Sequence, residues 1–345
     1  MALPLRIGLI GAGWVTLYHL RGWQALAEEA VVVAIADPSD KASENRVAEF
    51  GIGARYRSAS EMLAAGGLDA VDIAAPRAAH AELVRLAADH GLPILCQKPL
   101  APTLDEAQQL VADITGRVRL MVHENWRFRA YYRQAALWIA QGRIGKVKAA
   151  SLSLVTSGTV PNAEGRLTAL ERQPMLRGER RMLVAEVLIH HLDTLRMLLG
   201  PMSVRAAVLS RTCPEILGED GAVLHLETAG GAGVSVFASF AAYGAQPEQV
   251  DRLTLLGERG MIRLDGAELV FTSGGDEERI SFDQAAVYQG AYTATLAHFL
   301  RSLRENTPFE TSPEDNLETL RLVEDCYRLS GWESAGESRT EGHAA

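Results

Sequence analysis

The sequence predicts an α/β chain in two parts, a doubly wound parallel sheet followed by an α+β domain with a large, mostly antiparallel open sheet. Three observations predict it. An apolar run, Leu5–Ile10, breaks into Gly11-Ala12-Gly13 and continues with helical periodicity, which reads as a strand, a tight turn and a helix. Strand-like and helix-like segments then alternate as far as residue 122, the order that a parallel sheet with crossover helices requires. From residue 147 onward, short runs rich in Val, Leu, Ile and Phe follow one another across glycine-containing turns, the pattern of hairpins.

Taken in order, the glycine turn comes first. Without side chains it lets backbone N–H groups and a helix N-terminus face a pyrophosphate, so Gly11, Gly13, Trp14 and Val15 form the expected cofactor-binding turn of a Rossmann-type unit. The third glycine of that fingerprint is replaced by Thr16, which predicts a helix slightly further from the sheet. The second apolar run, residues 30–36, ends at Asp37. That is about 20 residues or slightly more beyond the glycines, where a carboxylate meets the adenosine ribose and repels a 2′-phosphate. The expected cofactor is NAD rather than NADP, with Lys41 nearby as the one opposing feature. The alternative is a plain strand end whose Asp caps the next helix.

A helix over 39–50, a strand over 54–56, a helix over 60–65, a strand over 70–75 and a helix over 77–90 follow. The strand 94–97, the helix 104–114 and the strand 118–122 complete the alternation. Ligands of such sheets bind beyond the carboxyl ends of the strands, so Ala75, Pro76 and Gln97-Lys98-Pro99 should line the crevice. His80 stands one turn into a helix, either beside the nicotinamide half of the cofactor or on the helix surface. Lys98 stands where a buried strand opens, next to a proline that can be cis; it either works in the site or snorkels to water.

The Gly-x-Gly turn, the acid after the second strand, Pro76 with His80, and Lys98-Pro99 together resemble the Gfo/Idh/MocA family of NAD(P)-dependent oxidoreductases. Members act mostly on sugars, inositols and related polyols. The family motif is Glu-Lys-Pro, and this chain has Gln97-Lys98-Pro99. Its second motif, Asp-x-x-x-His-x-x-Asp, is matched by Glu186 to Asp193 with His190 in the middle and Glu for the first Asp. A spacing of four puts Glu186 and His190 on one helical face. Without the family, that pair reads equally as a surface ion pair or part of a metal site, though no third ligand has suitable spacing. The resemblance implies Lys98, His190 and Glu186 as catalytic residues and no metal. It also implies that Asn125 and Arg127, in a segment similar to the family's Asn-x-Arg-Phe, hydrogen-bond a polyol or the cofactor; an interface arginine is the alternative. The polar stretch 157–181 reads as a lid bringing Gln173 to the substrate. Arg127, Arg172, Gln173 and the helix around His190 resemble members that oxidise pentoses, the branched sugar apiose included.

The second domain begins with a helix over 130–141. Strands over 147–156, 204–211, 222–228, 233–242, 251–256, 261–264, 268–271 and 279–282 follow. Leu224, Leu226, Val234 and Val236 are expected on a face that meets another subunit, giving a homodimer or homotetramer through the C-terminal sheet as in the family. Helices over 292–303 and 313–329 return the chain to the first domain's side. The expected limits are 1–124, 125–332 and a disordered tail over 333–345.

A net charge of −9 without any basic block argues against nucleic acid. Cys96, Cys213 and Cys326 are scattered and odd in number, which fits a reducing compartment. No apolar run can cross a bilayer and no signal-peptide pattern opens the chain, so a cytoplasmic location is expected, with no membrane partner. The expected activity is hydride transfer from a sugar hydroxyl to NAD, at the anomeric carbon of an aldose, giving a lactone. An NAD-dependent glycosidase and a non-catalytic sensor are the alternatives.

Overall fold

The computed structural model describes residues 3–332; the tail expected to be disordered lies outside the described residues. The chain divides into two units. One holds residues up to 129 together with 285–320, and the other holds 130–284 together with the residues from 321 onward.

In the first unit, β1 (Leu5–Ile10), β2 (Ala30–Ala36), β3 (Ala54–Tyr56), β4 (Ala70–Ile73), β5 (Ile94–Gln97) and β6 (Leu120–His123) form one parallel sheet in the order β3-β2-β1-β4-β5-β6. Between them run α1 (Thr16–Ala25), α2 (Asp40–Phe50), α3 (Ala59–Ala65), α4 (His80–Asp89) and α5 (Leu104–Ile114). Side chains of a strand alternate between faces, so each strand feeds two cores. Ile10, Ile73 and Cys96 join Met62, Val84 and Leu110 of α3, α4 and α5. Ile7 and Leu95 point the other way, to Trp23 of α1 and to Leu296 and Phe299 of the helix Gln284–Glu305. That helix begins eight residues before the start that sequence periodicity gives, and it covers a face of the parallel sheet. Serine and threonine open three of the crossover helices: Ser39, Ser58 and Thr103 accept from Ala42 N, Glu61 N and Glu106 N.

The second unit contains α6 (Ala130–Ala140), β7 (Val147–Val155), α7 (Thr168–Arg172) and α8 (Ile189–Leu199). The strands β8 (Met202–Ser210), β9 (Gly221–Thr228), β10 (Gly233–Ser239), β11 (Asp251–Gly257), β12 (Met261–Asp265), β13 (Glu268–Ser273) and β14 (Asp276–Ser281) follow. The sheet order is β14-β13-β12-β11-β7-β10-β9-β8, antiparallel except where β10 pairs with β7. The helix Gln284–Glu305 is α9, and α10 (Pro313–Ser330) starts in the first unit and ends in the second.

Two expectations are corrected here. Leu224, Leu226, Val234 and Val236 lie in the unit's own core, and the alternate positions Val223, His225, Ser235 and Phe237 occupy the open face. Periodicity fixes that alternate residues share a face, but not which set turns inward. The stretch 157–181 is no bare loop: it holds α7 and a 3-10 turn, Pro174–Arg177, and buries Leu167, Leu170 and Leu176. Those apolar side chains fasten it to its own unit.

Candidate active site

The first unit's site starts at the glycine turn. Gly11 has φ +108°, and a Cβ there would lie 2.5 Å from the Ala74 carbonyl oxygen, so only glycine fits. A Cβ at Gly13 would meet nothing within 4 Å among the described residues, so the protein's own packing does not demand that glycine. Close approach of a ligand would. No side chain caps α1, so its first N–H groups point outward at this turn from beside Val15. Thr16, in place of the third glycine, is buried and donates its hydroxyl to Gly13 O at 2.6 Å, fastening the turn to the helix. Asp37 accepts from Ala12 N and Ser39 N, both at 2.7 Å, one on each carboxylate oxygen. Ser39, not Asp37, caps α2. Each Asp37 oxygen keeps a lone pair for a ribose hydroxyl. Trp14, half exposed, stacks edge-on against Tyr18 at 5.0 Å beside the turn. These residues fit a dinucleotide. Arg46, which no sequence pattern marked, reaches from α2 to Gly13 O at 3.1 Å and helps hold the turn.

At the ends of β4 and β5 the structure redistributes the expected roles. Lys98 is half-buried and precedes a cis peptide bond to Pro99. His80 was expected at the nicotinamide. Instead its ring is buried with Nδ1 2.7 Å from Pro99 O and Nε2 2.9 Å from Ala75 O. It therefore clamps together the two strand ends that line the crevice, while Ala75 and Pro76 themselves stay accessible. Gln97 was also expected at the cofactor, and its side chain turns inward instead. Its amide nitrogen lies 2.8 Å from His19 Nε2 and 3.2 Å from His123 Nδ1, and its oxygen accepts from Lys98 N at 3.1 Å. Lys98 lies one residue beyond the end of β5 and keeps part of its surface accessible.

Beyond β6, Asn125 is buried and its Nδ2 has no hydrogen-bond partner among the described residues, which suits a donor for a ligand. Arg127 has a different occupation. Its guanidinium donates to Glu310 O at 2.9 Å and to Asp315 Oδ2 at 2.7 Å, holding the segment that leads into α10. The expected ligand contact gives way to a structural one, because a buried guanidinium needs acceptors at fixed positions.

In the second unit, Glu186 belongs to a stretch of π-helix, Leu183–Leu188, that runs directly into α8 and His190. Such wide turns concentrate at functional sites. Every other residue from Met182 to His190 is buried, and Glu186 alone is partly accessible. What holds this wide turn is Glu219, wholly buried, which accepts from Met182 N at 3.2 Å and Val184 N at 2.8 Å. The Tyr327 hydroxyl donates to Glu219 Oε1 at 2.6 Å and accepts from Ala185 N at 3.2 Å. Burial pushes the Glu219 carboxyl above its usual range, against the opposing pull of these donors. A second buried carboxylate, Asp251, takes His191 Nε2 at 2.9 Å and the hydroxyls of Tyr132 at 2.9 Å and Tyr131 at 3.3 Å. It fixes the rotation of α8, and therefore the direction in which His190 points. Gln173 stands between α7 and the 3-10 turn, partly accessible. No sequence pattern marked Glu219, Tyr327 or Asp251, whose partners come from distant segments of the chain.

The oxidoreductase family with an NAD-binding Rossmann fold matches residues 5–123, and its C-terminal alpha/beta domain matches residues 138–331. The chain is 30% identical over 348 residues to the D-apiose dehydrogenase of Rhizobium rhizogenes, covering 97% of this chain and 96% of that one. It is 33% identical over 346 residues to the D-apiose dehydrogenase of Paraburkholderia graminis, covering 96% and 88%. A crystal structure of an oxidoreductase from Agrobacterium radiobacter, in complex with NAD+, L-tartaric acid and magnesium, matches with a TM-score of 0.87 at 29% identity, covering 95% of this chain and 96% of that one.

Proposed function

This chain belongs to the Gfo/Idh/MocA oxidoreductase family, and from that premise we propose that it is an NAD-dependent dehydrogenase of a sugar hydroxyl, acting at the anomeric carbon of an aldose to give a lactone. The observation that carries this reading is that Lys98, Glu186 and His190, the groups such a reaction needs, each sit on a segment held by buried hydrogen bonds. The near-full-length likeness to two relatives named D-apiose dehydrogenase supports a sugar, and a pentose first.

NAD, when bound, supplies the acceptor for the hydride leaving the carbon that is oxidised. Gly11, Gly13, Trp14 and Val15 would hold its pyrophosphate, Asp37 its adenosine ribose, and Ala75, Pro76 and Asn125 its nicotinamide half. His190 takes the substrate's hydroxyl proton on a ring nitrogen as general base. The Lys98 ammonium stabilises the alkoxide that develops. Glu186 binds a neighbouring hydroxyl and keeps His190 oriented, and Gln173 contacts the far side of the sugar. The open face of the second unit's sheet, with Val208, Val223 and Phe237 exposed on it, is the surface through which we place a homodimer or homotetramer.

The test is NADH absorbance with a panel of aldoses that includes a branched pentose, with inositols and sugar acids, each with NAD and with NADP. Signal with an aldose and NAD, and lactone as product, is expected. Cleavage of a glycoside without net NADH would replace this reading with a glycosidase, and NAD binding without any turnover would replace it with a sensor.

A further inference from the structure

Behind β5 the buried polar side chains form one continuous hydrogen-bonded chain that ends on the main chain of Lys98. Asp72, in the middle of β4, is fully buried, and its Oδ2 lies 2.8 Å from His19 Nδ1 and accepts from Trp23 Nε1 at 2.8 Å. On the other side of the His19 ring stands the Gln97 amide, which also reaches His123. The two imidazoles stack with centroids 4.3 Å apart, and Tyr292 of α9 closes the group at 5.5 and 5.2 Å.

Hydrogen-bond complementarity orders the protons around Gln97. A backbone N–H only donates, so the atom of Gln97 that faces Lys98 N is the amide oxygen. Both amide hydrogens then point at ring nitrogens, which must present lone pairs. His19 therefore carries its proton on Nδ1, toward Asp72, and His123 carries its proton on Nε2. The ionisable groups around them are Asp72 from β4, Tyr292 from α9 and Lys98 at the outer end. Burial pushes the Tyr292 hydroxyl well above its usual value, so it offers no charge. An amide does not relay protons as a carboxylic acid does, so the two rings are joined in position and insulated from each other.

We propose that Gln97 is a positioning residue for Lys98: its amide locks His19 and His123 as neutral rings of opposite tautomer, and its oxygen fixes the lysine's main chain without opening a proton path to it. The part played by Lys98 rests on the dehydrogenase reading; the protonation pattern does not. A carboxylate of the same shape has no hydrogen to give. In Gln97→Glu, His19 gains a second proton between Asp72 and the new carboxylate, and the His123 proton moves to Nδ1.

The experiment is ring-nitrogen NMR of the full-length protein labelled in histidine, with His19→Asn and His123→Asn to assign the signals. Opposite neutral tautomers in the wild type across about pH 6 to 8 are expected. A charged His19 ring there overturns the proposal without reference to any activity, and so does a Gln97→Glu protein that folds but keeps both tautomers. The second arm is kinetic. Gln97→Ala should lower kcat about tenfold and keep the KM for NAD within about twofold, as lost orientation of a group acting in the transition state does. An unchanged kcat, or an equal rise in KM, overturns the positioning of Lys98 even where the tautomers stand.

Discussion

In the first unit Lys98 stands at the end of a parallel strand, and the side chain that holds its main-chain N–H is an uncharged amide, that of Gln97. In the second unit Glu186 and His190 stand on a helical segment pinned by two buried carboxylates, Glu219 and Asp251. The difference follows from what each backbone leaves to be satisfied. A strand end inside a sheet has its main chain paired up to the last residue, and one amide suffices to direct the next. A wide turn entering a helix exposes several N–H groups at once, and a carboxyl group offers two oxygens to accept from them. That grip is linked to pH, because burial opposes the charge on Glu219.

The widest test of this contrast compares Lys98→Ala with His190→Ala. Each should lower turnover by about a hundredfold or more while NAD still binds, as measured by steady-state kinetics and cofactor fluorescence. Retained turnover in either would remove that unit's residue from the chemistry. Next in size, Glu219→Ala leaves the Met182 and Val184 N–H groups and the Tyr327 hydroxyl without their acceptor, and should cost about 3 kcal/mol in denaturant unfolding. A loss no larger than that of a surface substitution would show that the wide turn does not depend on its carboxylate.

Arg127→Ala should destabilise the first unit by about 2 kcal/mol and leave the KM for sugar unchanged, since its acceptors are Glu310 and Asp315. A large rise in KM with stability intact would return Arg127 to the ligand. The pH dependence of Glu219 is a finer probe. Its folded-state value lies above the ordinary 4.5, so the stability that its protonated form confers is full below that value and is lost as pH rises through the raised one. Glu219→Gln removes this decline, and the stability gap between wild type and variant should therefore shift in the variant's favour on going from acid to neutral pH. The smallest effect belongs to Asp40, which Arg57 and Arg55 hold down to about 2 against an ordinary 3.8. Its contribution is present above 3.8 and fades as pH falls toward 2, so Asp40→Asn should flatten only that acid edge.

The parallel sheet, the glycine turn, Asp37 and the Lys98-Pro99 strand end were legible because each is written within a few consecutive residues. A strand that stops, a turn that needs glycine and an acid that follows an apolar run are local events. The helical segment that carries Glu186 and His190 was legible for the same reason, although the wide turn within it was not. Nothing between residues 182 and 188 announces a π-helix; its acceptor comes from Glu219, more than thirty residues further on.

Sequence alone, then, determined the order of strands and helices and the glycine turn that opens them. Tertiary structure decided which way their side chains face. Gln97 turns inward because His19, 78 residues earlier, and His123 stand behind β5. His80 holds two strand ends because the end of β5 arrives beside it, and Leu224 enters the core of its unit while Val223 stays on the exposed face. A repeat of two or four residues sets which side chains share a face, but its phase is set by what lies across the space, and parallel strands bring distant residues into that space.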